Sequence, residues 1–249
     1  MNRARVAVKF DYHCVQRMSG KRKYELGKRA ERHAETRRRI TEATIELHRT
    51  VGPAATQITE VARRAGVQRL TVYNHFPEES SLLAACSTHW RALHPAPDPT
   101  GWRAVTGPGE RLRLGLRELY AWYRETEPMT ANILRDVESV PALRAVVEQG
   151  LGGYLDAVCR ILGEPIRAGL RGRRRKSVET SLRAAVDFHL WRLLAPLGDP
   201  AAADLAAGLV ESAAVVRPGS GRPHDRAGSV QPVTPVGIGQ ATPVPPIPQ

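Results

Sequence analysis

Cysteine is scarce in this chain: Cys14, Cys86 and Cys159 lie far apart, odd in number and in no ligand-like spacing. Neither a disulfide framework nor a zinc site is expected from them, and a reducing compartment such as the cytoplasm suits the set. Long apolar runs are missing too. No stretch of about 18 such residues occurs, so no membrane span is expected. Arg3 and Arg5 precede only a short apolar patch broken by Lys9 and Asp11, too short for a signal peptide. No glycine-rich phosphate loop, HExxH, CxxC or serine elbow is found, and the Glu and His residues show no catalytic spacing. The chain reads as a non-enzyme with no metal and no cofactor.

Positive charge is abundant. The 249 residues are 42% hydrophobic, enough for one or two globular domains, and carry a formal net charge of +12 with a pI near 10.3. That balance favours a polyanionic partner, nucleic acid before a membrane surface. Residues 1–39 hold thirteen Lys or Arg against four Asp or Glu, so most of the excess precedes the first clear helix. Within that stretch Lys21 to Arg39, including Arg37 and Arg38, is suited to lie along phosphates with salt-sensitive affinity. A solvated tail is the alternative, and Met18 would open a shorter chain. At the other end residues 217–249 are rich in Pro and Gly, with almost no large apolar side chains, and are read as disordered.

Helical periodicity dominates between these ends, so the expected fold is all-α. From about Arg32 to Arg49, Ile40, Ala43, Thr44, Leu47 and His48 form one inner stripe, and Val51-Gly52-Pro53 stops it. Thr56 is suited to cap the next helix, whose apolar stripe is Ile58, Val61, Ala62 and Ala65. Gly66 turns the chain. Val67 re-enters the core, and Val72 and Phe76 share one face of a second short helix. Arg69, Leu70, Thr71, Tyr73 and Asn74 are left on its other faces, the geometry of a recognition helix in a helix-turn-helix. A plain helical hairpin fits the same spacing.

The wording of the segment favours the first reading. Ala65-Gly66-Val67 followed by Thr71-Val72-Tyr73-Asn74-His75-Phe76 resembles the DNA-binding domain of the TetR family of bacterial transcriptional regulators, from about Arg37 to Leu83. The resemblance implies an N-terminal helix-turn-helix head (32–93) after a flexible basic arm (1–31). A loop (94–107) and a helical ligand-binding and dimerisation body (108–216) follow. Three positions depart from the family pattern. His48 replaces an aromatic, Gln68 a small capping residue, and Glu79 a phosphate-contacting Lys.

In the body, Leu112, Leu116, Leu119, Tyr120 and Tyr123 make a helix ended by Pro128, and a short helix runs from Met129 to Val137. A third starts near Pro141, with Gly152-Gly153 as a kink. Gly169 to Lys176 reads as a basic loop. One helix follows from Ser177 or Val178 to Leu194 and another from about Ala201 to Val216.

The family resemblance implies double-stranded DNA with a palindromic operator as partner, a small-molecule effector, and a homodimer formed through the last two helices. By side-chain chemistry Arg69 suits guanine, Asn74 suits adenine, and Leu70 and Thr71 suit thymine methyls. Tyr73 and His75, from matching motif positions, suit phosphate. Thr56, Gln68, Arg37 and Arg38 complete the candidate DNA-facing set. Candidate pocket liners for a hydrophobic effector are Leu119, Trp122, Tyr123, Met129, Ile133, Tyr154, Phe188 and Trp191. The reading is a sequence-specific, effector-released repressor, cytoplasmic and nucleoid-associated. The alternative is a constitutive, largely non-specific architectural DNA-binding protein.

Overall fold

The computed structural model describes residues 12–215, with side chains from residue 27 onward. The expected Pro/Gly-rich tail and the first eleven residues lie outside the described residues. Among the described residues every regular element is helical, as expected for an all-α chain. Ten α-helices occur: α1 (Tyr12–Thr50), α2 (Ile58–Ala65), α3 (Arg69–His75), α4 (Glu79–Leu93), α5 (Pro108–Asp136), α6 (Pro141–Val147), α7 (Gly153–Arg167), α8 (Gly172–Ala185), α9 (Phe188–Leu194) and α10 (Asp199–Val215). A 3-10 turn at Pro99–Ala104 interrupts the loop before α5, and a π turn at Glu148–Gly152 joins α6 to α7.

The head forms around one stripe of α1. Ile40, Thr44, Leu47 and His48 are buried there as the periodicity predicts, joined by Thr41 and Ile45. Val61, Ala62 and Ala65 of α2, Val72 of α3, Phe76, and Leu82 and Cys86 of α4 close over them. Met129 of α5 belongs to the same cluster, so a body helix enters the head's core. Residues 12–31, expected as an arm, continue α1 instead, which begins at Tyr12 and not near Arg32.

A second core fills the body. Leu112, Leu116, Leu119, Tyr120 and Tyr123 of α5 pack with α7, α8, α9 and the small side chains Ala202, Ala203, Ala206 and Ala207 of α10. Four local expectations are corrected here. Pro128 does not end its helix: α5 runs through it to Asp136, with no separate helix at Met129–Val137. Pro128 is exposed, so its ring sits on the outer face of α5 and not in the body core.

The expected basic loop is mostly helix, since α8 starts at Gly172. Arg174 of its first turn donates to the Ala214 carbonyl at 2.6 Å, supplying a partner at the end of α10. The helix expected from Ser177 or Val178 to Leu194 is two helices. Tyr120 and Tyr123 donate their hydroxyls to the carbonyls of Ala185 and Val186, each at 2.7 Å, satisfying the chain where it breaks. Asp187 then accepts from the amides of His189 and Leu190 and caps α9.

Candidate nucleic-acid interface and candidate effector cavity

The turn between α2 and α3 is set by Gly66. Its φ of +64° is one that only glycine adopts without strain. Its amide bonds to Arg63 and that of Val67 to Ala62, which pairs the last carbonyls of α2 in a Schellman arrangement. Val72 and Phe76 are then drawn into the core, and α3 turns Arg69, Leu70, Tyr73 and Asn74 to solvent. Leu70 is 66% exposed, a large apolar side chain with no covering in the chain itself. Arg69 donates to the Tyr73 hydroxyl at 2.9 and 3.2 Å, so the two lie side by side on the exposed face. Thr71 is half-buried, and Gln68 sits extended before α3 without capping it by its side chain.

Other candidates face inward or along the head. Thr56 does not cap α2; its hydroxyl donates to the Gly52 carbonyl at 2.8 Å and Gln57 takes the cap position. The tight Gly52 turn offers that carbonyl first. His75 is half-buried, its ring tilted against that of His33 with centroids 4.1 Å apart, and burial lowers its pKa. Arg37 donates to the His75 carbonyl at 2.6 Å and lies over the Phe76 ring, so it holds the end of α3 in place. Arg38 is exposed but bonded to Glu35 and Glu42. Glu79 is exposed in the first turn of α4, where a carboxylate suits the helix dipole.

Between head and body lies a cavity of about 280 Å³. Ile45 and His48 of α1 and Leu83, Cys86, Ser87, Trp90 and Arg91 of α4 form one side. Trp122, Met129, Thr130 and Ile133 of α5, Leu143, Val146 and Val147 of α6, and Leu151 and Tyr154 form the other. Ala96 in the loop after α4 also lines it. That loop is pinned by the Trp122 indole to the His94 carbonyl at 3.2 Å and by the Tyr154 hydroxyl to the Pro97 carbonyl at 3.1 Å.

Of the eight expected liners, Trp122, Met129, Ile133 and Tyr154 border this cavity. Leu119, Tyr123, Phe188 and Trp191 do not; all four are buried in the solid body core. The head's contribution was missed. Its signal was the apolar face Leu82, Leu83, Cys86 and Trp90, which reads equally as core.

His48 carries the unusual electrostatics. Burial lowers its pKa to about 4, and the neighbouring Asp136 opposes the shift only partly, so the imidazole is neutral. Burial pushes the Cys86 thiol up to about 12, which makes it unreactive. Below His48, the end of α5 grips the head. Asn132 donates to the carbonyls of His48 and Arg49, Arg135 to that of Val51, and the Asp136 carboxylate accepts from the Ala54 amide at 3.0 Å. Gly52, at φ +93°, lies so close to the Arg135 and Asp136 side chains that a Cβ would collide with both.

A short solvent-facing second helix, fixed by a tight turn and braced by α1 and α4, defines a helix-turn-helix head on a helical body. Residues 40–86 match the model for bacterial regulatory proteins, tetR family. The head is that of the TetR family of transcriptional regulators.

Among solved structures, the chain is similar to the TetR family transcriptional regulator PfmR from Thermus thermophilus. The identity is 20%, over 70% of this chain and 97% of that one, with a TM-score of 0.48. It is also similar to FadR from Bacillus subtilis, solved in complex with stearoyl-CoA (19%, 71% and 97%, 0.48). A third is FadR from Thermus thermophilus in complex with lauroyl-CoA (22%, 75% and 98%, 0.46). No curated protein matches the sequence. Among the described residues no helix is long and apolar enough to cross a membrane.

Proposed function

We propose that this chain is a repressor that reads a palindromic operator with α3 and releases it when a small, mainly apolar molecule occupies the cavity between head and body. The observation that carries this reading is the shared cavity wall. The same α1 that braces the recognition helix lines the cavity with Ile45 and His48. A ligand there touches head and body at once, and so has differential contacts with any two arrangements of them, which coupling requires. The grip of Asn132, Arg135 and Asp136 on the end of α1 comes from the same last turns of α5 that carry the lining residues Met129 and Ile133. Movement of α5 would therefore reach the head directly.

The volume is at the lower edge of the roughly 300–1,000 Å³ usual for ligand sites, which favours a compact effector. Its walls are aromatic and aliphatic, with Ser87 and Arg91 available for an anionic end. On DNA, Arg69 would leave Tyr73 for guanine, with Leu70 against a thymine methyl and Asn74 toward adenine. Two heads one helical turn apart require a homodimer. The exposed Leu205 and Leu209 on α10, with Leu193 and Leu197 before it, support one by presenting apolar surface for a second copy.

Selection of bound fragments from a bacterial genomic DNA library tests the DNA half of this reading. Enrichment of one palindrome, released by compounds that also raise the melting temperature, is expected. Equal retention of all fragments, with affinity set by salt alone, would instead leave a non-specific architectural protein.

A further inference from the structure

The reading above makes no use of the body segments around the end of α7. There α7 stops at Arg167, the chain turns, and α8 starts at Gly172. With the 3-10 turn that carries Arg103, these segments wall an open cleft of about 540 Å³. Five arginines line it, Arg103, Arg160, Arg167, Arg171 and Arg175, against a single carboxylate, Glu164.

All five arginines bring a planar guanidinium with several N–H donors to the cleft. Three are held in place by the chain. Arg103 reaches Glu164 at 3.5 Å, Arg175 reaches Glu179 at 3.0 Å, and Arg167 leans on the carbonyls of Cys159 and Arg160. The side chains of Arg160 and Arg171 have no ion-pair or hydrogen-bond partner among the described residues. Like charges gathered around one cleft repel one another and add their fields on whatever enters. Guanidinium forks match phosphate oxygens in pairs. A single phosphate can engage only some of five arginines spread around a cleft, whereas linked phosphates can engage more of them. The volume lies within the range of small-molecule sites, and Ala168 and Leu170 add apolar floor.

We propose that this arginine cleft is a second ligand site, separate from the head–body cavity, for a small molecule with two or more linked phosphates, such as a nucleoside diphosphate or triphosphate. The proposal stands whether or not the effector reading does. It is tested by calorimetric titration of the full chain with pyrophosphate, ADP and ATP, and with sulfate and orthophosphate at matched ionic strength. The same titrations are run on Arg160→Glu/Arg171→Glu and Arg160→Ala/Arg171→Ala. Both positions are exposed, and unchanged circular dichroism and melting temperature confirm that the variants fold.

Expected is one site per chain that binds a linked-phosphate compound at least about tenfold more tightly than sulfate. A loss of about tenfold or more is expected in the charge-reversed variant, and a smaller loss in the alanine variant. Binding that survives undiminished in both variants would place the anion outside the cleft and overturn the proposal. Equal affinity for sulfate and pyrophosphate would overturn it too, as would a loss of duplex DNA binding in the variants with no linked-phosphate site in the wild type.

Discussion

Trp122 and Tyr123 are neighbours on α5, yet they border different kinds of interior. Tyr123 is fully buried, with the rings of Phe188 and Trp191 at 5.3 and 5.6 Å and its hydroxyl satisfied by Val186. Trp122 meets Tyr154 at 5.8 Å across the edge of an open cavity and spends its indole proton on the loop that covers it. Both positions look the same in an apolar stripe. The difference is in what stands opposite: Val186, Phe188 and Trp191 fill the space beside Tyr123, while α1, α4 and α6 leave a cavity beside Trp122. A region whose contacts are complete can hold the fold, whereas one left hollow has room for a ligand.

The comparison can be broken by experiment, most severely at Trp191. Trp191→Ala removes the largest fully buried side chain and should cost about 3–5 kcal/mol in urea unfolding. A loss below about 1 kcal/mol would mean that the body core is not solid.

His48 provides the next largest effect, on the cavity side. Its folded pKa of about 4 lies below its ordinary 6.5, so the native state resists protonation that the unfolded chain accepts. Its contribution is whole above pH 6.5 and falls as pH drops toward 4, by about 3 kcal/mol in all. His48→Phe should lack this slope. Parallel stability curves for the two proteins across that window would remove the claim that His48 is neutral and desolvated.

Tyr123→Phe keeps the ring but leaves the Val186 carbonyl without its donor, and should cost about 1–3 kcal/mol by thermal or chemical denaturation. Arg69→Ala should leave stability within about 0.5 kcal/mol. On DNA it should cost about 1–3 kcal/mol of discrimination at one base pair, read by competition binding with operator variants. Uniform weakening on every sequence would show that Arg69 meets phosphate and not a base.

The smallest expected change is the most direct test of hollow against solid. Val147→Phe grows into the cavity and should change stability by less than about 1 kcal/mol, whereas Leu119→Phe overpacks the body core and should cost about 1–3 kcal/mol. Equal penalties would show that the cavity closes in solution. If Val147→Phe keeps operator binding but no longer responds to an effector, the cavity is the effector site.

The helix-turn-helix was legible in the sequence because its determinants are local. A 3.6-residue period placed Val61, Ala62, Ala65, Val72 and Phe76 inward, and Gly66 marked the turn between α2 and α3, where the backbone needs a positive φ. The same period found the inner stripe of α1 and the buried faces of the body. It also showed which residues of α3 are left facing outward.

What periodicity cannot express is the partner across a contact. Thr56 looks like a cap until the Gly52 carbonyl is nearer, and Pro128 looks like a stop, yet α5 runs through it to Asp136. The single helix read through Val186 is cut because two tyrosines from α5 satisfy the carbonyls that the break exposes. Leu119, Tyr123, Phe188 and Trp191 were as plausible as Trp122 and Tyr154 for a pocket. Only the assembled helices separate them, since a stripe states that a side chain is buried and not whether the space beyond it is filled.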